Sequence, residues 1–227
     1  MIPPSDLSKN QIDRLGDRLR KGEPSEDDLR LLDSYRRSFG DVYESVVGRI
    51  REQLGLEPTG RPAKSTTSII DKLQRETIRF SQIQDIAGCR IVVSDLLTQD
   101  ETAERLRGLF DSVSIDDRRE KPSHGYRAVH VIVDQSDKLI EIQVRTPLQH
   151  TWAELSEKLS DEFENSIKYG GGSKEIASYL STLSDAMLDM EMAFKAKDGN
   201  QILIETQRLF ELIEQMSDLV IRERAKS

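Results

Sequence analysis

The segment from His124 to Thr146, HGYRAVHVIVDQSDKLIEIQVRT, constrains the fold more than any other part of the sequence. Two apolar stretches, Ala128–Val133 and Leu139–Val144, flank a short polar stretch at 134–138. Apolar segments of strand length that are joined by a tight polar turn are typical of a β-hairpin. The sequence therefore predicts an antiparallel pair of strands here.

Polar side chains on this hairpin indicate more than a structural role. Glu141 and Gln143 alternate with apolar residues in the second strand, so the carboxylate and the amide share one face. Three further candidate residues lie at the head of the partner strand: Tyr126, Arg127 and His130. For each the alternative is structural: Glu141 as a solvent-facing strand residue, Tyr126 as a core aromatic and His130 as a hydrogen-bonded core histidine.

The rest of the chain predicts an α+β fold. Helical spacing of apolar residues predicts helices at Leu7–Lys21, from Ser25 to about Leu54, after Ser65–Thr67, at Asp100–Phe110, from Thr146 or Pro147 to a stop at Tyr169–Gly172, and in two pieces between Ser173 and Arg224 that break near Asp198. Additional strands are predicted at Cys89–Ser94 and Ser112–Ile115, and a loop at Gly55–Ser68. We expect a mixed sheet of four or five strands flanked by helices, with N- and C-terminal helical extensions.

Charge is unevenly distributed along the chain. The 227 residues carry a formal net charge of −8, which argues against a protein that coats nucleic acid through overall positive charge. Between Arg61 and Arg90, however, six basic residues outnumber three acidic ones, so this stretch is net +3. A local basic patch of this kind suits a small polyanion such as a nucleotide. A solvated helix face is the alternative.

The cysteine and hydropathy patterns exclude several classes of protein. The single cysteine, Cys89, and the three histidines permit neither a disulfide framework nor a zinc pattern, and Cys89 is expected to be a buried small apolar residue. No apolar run approaches membrane-spanning length, and the N-terminus does not resemble a signal or transit peptide. We therefore expect a cytoplasmic protein without a membrane partner.

Basic residues at helical spacing form a candidate phosphate site. Ser68, Lys72 and Arg75 follow one another at intervals of four and three, which places them on one helix face. Arg61 and Lys64 precede them in a Pro/Gly loop, where side chains can converge on a ligand. Arg90 faces away from its apolar strand neighbours, and an arginine can stack on a base or fork onto a phosphate.

Two carboxylates could complete this site. Asp85 lies four residues before Cys89, where a strand is predicted to begin, and Glu141 lies on a later strand. Mg²⁺ typically binds through one or two protein carboxylates together with substrate phosphates and waters. A turn-capping role is the alternative for Asp85.

Four segments, in order, resemble the synthetase domain of RelA/SpoT-type alarmone synthetases: RPAKSTTSIIDKLQR, IQDIAGCRIVV, HGYRAVHVIV and IEIQVRTPLQHTWAELSEKL. The resemblance runs from about Arg61 to Leu159. It implies an ATP-dependent pyrophosphokinase that transfers the β,γ-pyrophosphate of ATP to the 3′-hydroxyl of GDP or GTP, with Mg²⁺, to make ppGpp or pppGpp. We expect N-terminal helices at 1–60, a synthetase core at 61–165 and C-terminal helices at 166–227, in one compact domain.

The resemblance also implies roles for individual residues. Those implied to hold ATP are Arg61, Lys64, Ser68, Lys72, Arg75 and Arg90, with Arg61 and Arg90 against the adenine. Asp85 and Glu141 are implied to bind Mg²⁺, and Glu141 also to help deprotonate the acceptor hydroxyl. Tyr126 is implied to stack on the acceptor base. The remaining site residues, implied to position phosphates or ribose, are Arg127, His130 and Gln143.

Departures from the family leave the acceptor open. No His/Asp hydrolase motif precedes the synthetase match, so we expect a small single-domain synthetase. The family's Asp-Tyr-Ile segment is replaced here by DDRREKPSHGYR. Some small relatives are toxins that pyrophosphorylate the 3′ end of tRNA or make adenosine alarmones, and the basic residues Arg118, Arg119 and Lys121 could serve an RNA phosphate. An antitoxin partner, a homo-oligomer formed through the terminal helices, and a non-catalytic nucleotide-binding module are further alternatives.

Overall fold

The computed structural model describes residues 7–163 and 173–225. These residues divide into two compact units. The first unit contains the described residues up to Ile91, together with Arg105–Ile115 and Val131–Gln143. The second unit contains Val92–Glu104, Asp116–His130 and the described residues from Val144 onward.

A five-stranded sheet confirms the predicted α+β class and the upper end of the predicted strand number. Its strands are β1 (Thr59–Arg61), β2 (Ala87–Val92), β3 (Val113–Asp117), β4 (Val129–Gln135) and β5 (Lys138–Arg145). Their order in the sheet is β1-β2-β5-β4-β3, and β1 pairs antiparallel with β2.

Strands β4 and β5 form the predicted hairpin. The connection is shorter than the predicted polar stretch, because only Ser136 and Asp137 separate the two strands. Both residues have positive φ, 53° and 57°, as a type I′ turn requires. Ser and Asp satisfy this geometry because short polar side chains tolerate the left-handed region better than bulky ones.

Helices occupy the positions that the apolar spacing predicts, with sharper boundaries. They are α1 (Lys9–Arg20), α2 (Glu26–Arg37), α3 (Gly40–Leu54), α4 (Thr66–Arg75), α5 (Leu96–Leu109), α6 (Pro147–Glu162), α7 (Lys174–Ala196) and α8 (Gly199–Arg224). Capping boxes at Ser8, Ser25 and Thr146 start α1, α2 and α6, because each hydroxyl accepts a backbone N–H from the first turn. None of the helices in the described part of the chain is both long enough and apolar enough to cross a membrane.

Two sequence predictions were wrong in detail. The single helix predicted from Ser25 to about Leu54 is two helices, separated at Ser38–Phe39. Gly40 directly follows the break, but Phe39 is buried like its apolar neighbours, so the apolar stripe continues through the break. The loop predicted at Gly55–Ser68 contains β1, which is too short to produce a recognisable alternation. The predicted helix stop at Tyr169–Gly172 lies outside the described residues.

The core of the first unit brings the N-terminal helices against α4. Leu15 and Leu19 on α1 are fully buried, as are Ile69 and Leu73 on α4. A short 3₁₀ turn, Phe80–Gln82, also packs against α1 and leads toward β2. Burial of apolar side chains on both partners is the main stabilising contribution here. The packing of α4 against α1 and α2 therefore supports the helix that carries Ser68 and Lys72.

The second unit has its own core between α6, α7 and α8. Trp152 is buried there, and its indole N–H donates to the carbonyl of Leu180 at 2.8 Å. The other buried members of this cluster are Ala153, Leu159, Ile176, Leu183, Met187, Met216 and Leu219. Tyr126 packs against the edge of the cluster, so the core supports the turn that carries this residue.

Candidate active site

Asp85 lies between two lysines in the first unit. Lys64 Nζ donates to Asp85 Oδ2 at 2.7 Å, and Lys72 Nζ donates to Oδ1 at 2.9 Å. The side chains are 15 % (Lys64), 19 % (Lys72) and 23 % (Asp85) exposed, so the cluster is sheltered but still open to solvent. Three residues that the sequence placed in a phosphate and metal site are therefore in direct contact.

The lysines keep Asp85 ionised. Burial would raise the pKa of this carboxyl, but the charges of Lys64 and Lys72 and the hydrogen bonds from both ammonium groups outweigh burial. The pKa of Asp85 is lowered to about 2. An ionised carboxylate at this position is the form that a cation or an ammonium group binds.

Local structure explains why these groups meet. Ser65 caps α4 by accepting the backbone N–H of Ser68, which fixes where the helix begins. Lys72 follows Ser68 by one turn on the same helix face, next to the buried face of Ile69 and Leu73. The backbone N–H of Lys64 donates to the carbonyl of Ile86 at 2.6 Å, which places the loop beside the residue that follows Asp85.

Arg61, Gly88 and Glu141 lie on three neighbouring strands, β1, β2 and β5, with Gly88 on the middle strand. Arg61 on β1 is the direct partner of Gly88 on β2. On the other side, a Cβ at residue 88 would lie 2.7 Å from the carbonyl oxygen of Glu141 and 3.4 Å from its Cβ. Because glycine has no side chain, β5 can approach β2 closely at this point. Arg61 and Glu141 thus flank a position where the sheet carries no side chain.

Glu141 and Gln143 share a face, as the alternation predicts. Gln143 Nε2 donates to Glu141 Oε2 at 2.6 Å, and Glu141 is buried. The prediction of a buried thiol is also confirmed: Cys89 is 4 % exposed. Burial, followed by the charge of Glu141, raises the pKa of this thiol to about 12. Cys89 therefore remains a protonated thiol and serves as packing.

The other charged residues predicted to hold ATP are three arginines, on β1, β2 and α4. Arg61 is exposed on β1. Arg90 donates to the hydroxyl of Thr59, its strand partner, at 3.2 Å. Arg75, at the end of α4, pairs with Glu76 at 3.3 Å. The predicted roles of these three guanidinium groups toward ATP therefore stay a prediction.

In the second unit, the hydroxyl of Tyr126 forms hydrogen bonds with two other polar side chains. The Tyr126 hydroxyl and His130 Nε2 are 2.8 Å apart, and Arg145 Nη2 donates to the same hydroxyl at 3.0 Å. The guanidinium of Arg145 also lies 5.1 Å from the centroid of the Tyr126 ring, within cation–π range. The sequence reasoning missed Arg145. The signal was present, because the alternation of Glu141 and Gln143 continues to this residue.

Arg127 holds the turn before β4. It is buried, and it donates to Ser184 Oγ at 3.0 Å, to Asp185 at 2.6 Å and to the carbonyl of Arg119. Ser184 in turn donates to the carbonyl of Gly125 at 2.5 Å. In this structure Arg127 contacts protein groups through all these donors, and its predicted role toward a phosphate stays a prediction.

Gly125 meets two requirements that glycine alone satisfies easily. Its φ is +89°, and a Cβ would lie 2.8 Å from Trp152 Cζ2. The turn is therefore pressed against the core of the second unit. This close packing fixes the position from which the Tyr126 side chain projects.

The basic loop between β3 and β4 is largely neutralised. Arg118 pairs with Asp116 at 2.7 Å, and Arg119 pairs with Asp117 at 2.6 Å and Asp100 at 2.7 Å. Paired guanidinium groups attract an external phosphate less than unpaired ones. This arrangement weakens the case for an RNA-binding loop.

Comparison with known proteins gives the family. Residues 60–165 match the family described as "Region found in RelA / SpoT proteins". An uncharacterized protein of Mycobacterium tuberculosis is 33 % identical over 205 residues, which cover 82 % of this chain and 74 % of the relative. The GTP pyrophosphokinase YjbM of Bacillus subtilis is 31 % identical over 123 residues, which cover 48 % of this chain and 58 % of that protein.

A solved structure shares the fold. The small alarmone synthetase 1 of Bacillus subtilis, bound to its product pppGpp, superposes with a TM-score of 0.56 at 22 % identity, covering 78 % of this chain and 98 % of that one. At this identity the similarity establishes the fold alone. The sequence matches, which include the segment that holds Asp85 and Glu141, show that the chain belongs to the RelA/SpoT family.

Proposed function

We propose that the chain is a pyrophosphokinase that transfers the β,γ-pyrophosphate of ATP to the 3′-hydroxyl of GDP or GTP. The observation that carries this proposal is the ionised Asp85 held between Lys64 and Lys72. When a triphosphate and a divalent cation bind, the lysines can turn to phosphate and the carboxylate to the cation without a loss of charge balance. Relatives named GTP pyrophosphokinase support this choice of reaction.

In the proposed donor site, side chains between residues 61 and 90 hold ATP. Lys64 and Lys72 bind phosphate oxygens, and Ser68 on the same face of α4 offers a hydroxyl one turn away. Arg75 adds charge at the end of α4. Arg61 and Arg90 lie on paired strands and clamp the adenine, because guanidinium planes stack well on bases.

The carboxylates of Asp85 and Glu141 suit a Mg²⁺ ion that the protein and the nucleotide phosphates bind together. Among residues 7–163 and 173–225, no group of three or more His, Cys, Asp or Glu side chains could hold a metal without a substrate. Asp85 and Glu141 instead offer two carboxylates, which suits Mg²⁺ bound jointly by protein and phosphate. When bound, Mg²⁺ offsets the negative charge of the transferring phosphates.

In the proposed reaction, the acceptor 3′-oxygen bonds to the β-phosphorus of ATP while the bond from that phosphorus to the α,β-bridging oxygen breaks. AMP leaves, and the proton of the 3′-hydroxyl passes to the Glu141 carboxylate, which Gln143 orients through its 2.6 Å hydrogen bond. Positioning and charge neutralisation supply most of the catalysis in such transfers.

The proposed acceptor site centres on Tyr126. Its ring stacks on the base, while Arg145 and His130 fix the hydroxyl and hence the plane of the ring. Arg127 acts mainly by holding the Gly125 turn, and His130 helps to position the ribose or phosphates by fixing the Tyr126 hydroxyl. Arg145 joins the residues that the sequence identified.

An acceptor panel tests this proposal. The protein is incubated with Mg²⁺ and ATP labelled in the γ-phosphate, with GDP, GTP, AMP or deacylated tRNA as acceptor. We expect label in ppGpp or pppGpp and stoichiometric AMP. Transfer of the label to AMP or to tRNA, in place of GDP or GTP, would replace the guanine nucleotide with another acceptor. Binding of ATP without transfer to any acceptor would indicate a non-catalytic module.

A further inference from the structure

Arg36 on α2 connects the N-terminal helices to the loop that presents Lys64. Arg36 Nε donates to the carbonyl oxygen of Lys64 at 2.8 Å, and Nη1 donates to the Asp33 carboxylate at 2.5 Å. The Arg36 side chain is 23 % exposed, so much of it is removed from water. A guanidinium fixed by a carboxylate has a defined orientation, and its remaining donors then hold a partner in one place.

The backbone of Lys64 is consequently held on both sides. Its N–H donates to the carbonyl of Ile86 at 2.6 Å, and its C=O accepts from Arg36. Ile86 directly follows Asp85 in the chain. These two backbone hydrogen bonds set the separation across which Lys64 Nζ reaches Asp85.

Arg20 on α1 makes an equivalent contact at the other end of α4. Its Nε donates to the carbonyl of Leu73 at 2.8 Å, and its Nη2 donates to the carbonyl of Ile78. Carbonyl groups in the last turn of a helix lack an intrahelical partner, so this guanidinium satisfies one and fixes the helix end. Leu73 directly follows Lys72. The backbone at or next to each lysine that contacts Asp85 therefore accepts a hydrogen bond from an arginine of the N-terminal helices, Arg36 for Lys64 and Arg20 for Lys72.

We infer that Arg36 is a positioning residue for the ATP site, through which α2 sets the affinity for the donor nucleotide. This inference rests on the proposed function. It requires no contact between Arg36 and ATP, because the side chain acts through the Lys64 carbonyl. It also gives a role to α2, which lies outside the segment 60–165 that matches the family.

The neighbouring residue Arg37 provides a matched control. Arg37 also pairs with Asp33, at 2.7 Å, but its side chain is 78 % exposed. Arg37→Ala therefore removes the same net charge from the same helix without touching Lys64. Loss of a hydrogen bond from a charged donor should raise both the Kd and the KM for Mg·ATP about ten-fold in Arg36→Ala relative to Arg37→Ala. The KM for the acceptor and the midpoint of thermal unfolding should stay close in the two variants.

Hydrogen exchange tests the positioning without any nucleotide. The Lys64 amide should exchange about ten-fold faster in Arg36→Ala than in Arg37→Ala, because its loop opens more readily. Arg36→Lys keeps the charge and a donor group, so this variant should recover part of the ATP affinity that Arg36→Ala loses. If Arg36→Ala does not fold, Arg36→Lys takes its place in both experiments. Equal exchange in the Arg36 and Arg37 variants, equal ATP affinity, or a parallel rise in both KM values would overturn the inference. A parent protein that protects the Lys64 amide but binds no ATP would instead overturn the proposed function.

Discussion

Gly88 lies so close to Glu141 that any side chain on residue 88 would contact the main chain of β5. A Cβ there would be 2.7 Å from the Glu141 carbonyl oxygen, closer than real Cβ contacts allow. The backbone must therefore move if residue 88 gains a methyl group. Because Glu141 is the proposed acceptor of the 3′-hydroxyl proton, this contact links sheet packing to catalysis.

Gly88→Ala should consequently lower kcat strongly. A shift of about 1 Å at a catalytic group can cost roughly a hundred-fold in rate, and overpacking of this kind typically costs about 1–3 kcal/mol of stability. Gly48→Ala on α3 is the control, since a Cβ there meets nothing within 4 Å. Steady-state turnover and urea unfolding of both variants check the prediction. A Gly88→Ala protein with the parent kcat would remove Glu141 from the reacting centre.

The low pKa of Asp85 predicts a specific dependence of stability on pH. A carboxyl whose pKa is about 2 in the folded protein, against 3.8 ordinarily, stabilises the fold above pH 4 and loses this contribution as the pH falls toward 2. The shift corresponds to about 2 kcal/mol at neutral pH.

Asp85→Asn should therefore be less stable than the parent at pH 7, and the gap should close near pH 2. Urea unfolding at a series of pH values measures it. Asp71→Asn, an exposed carboxylate on α4 beside Lys72, is the control and should show little gap at any pH. A gap that stays constant across this range would mean that Asp85 does not depend on its lysine partners for stability.

Tyr126 should bind the acceptor through its ring. Tyr126→Phe keeps the ring but leaves Arg145 and His130 without the shared hydroxyl, so we expect a loss of stability of about 1–2 kcal/mol with most acceptor affinity retained. Tyr126→Ala removes the stacking surface, which is worth roughly 1–3 kcal/mol, or about ten- to hundred-fold in affinity.

Calorimetric titration of the acceptor into both Tyr126 variants, alongside thermal unfolding, separates these effects. The ATP affinity should be unchanged in both proteins, because no ATP contact is proposed for Tyr126. If Tyr126→Ala binds the acceptor as tightly as the parent, the ring is structural. A steep fall of acceptor affinity with salt would indicate a nucleic acid, since a polymer contacts more phosphates than a lone nucleotide.

Local patterns were sufficient to predict the parts of the site that depend on periodicity. The spacing of Ser68 and Lys72 on one face of α4 follows from the helix repeat. The shared face of Glu141 and Gln143 follows from the strand repeat. These predictions succeeded because neighbours in sequence determine them.

Other contacts depend on the tertiary fold and left no local signal. Arg127 meets Ser184 and Asp185 on α7, more than fifty residues away in sequence. Arg36 meets Lys64 only because α2 packs against α4. From the sequence alone, an arginine in a charged helix is expected to be exposed to solvent, because the sequence does not show which helix packs against it. The break at Ser38–Phe39 was missed for a related reason, because burial of Phe39 continues the apolar stripe.

The most direct test of the account is the turnover of Asp85→Asn and Glu141→Gln with ATP, Mg²⁺ and GDP or GTP, measured as AMP released and pyrophosphate transferred. Removing one transition-state charge interaction should slow both variants about a hundred- to thousand-fold, while Asp71→Asn keeps the parent rate and all three proteins give the parent's far-UV circular dichroism spectrum. Near-parental AMP release by Asp85→Asn or Glu141→Gln, from a folded protein, would contradict the claim that these two carboxylates form the catalytic centre.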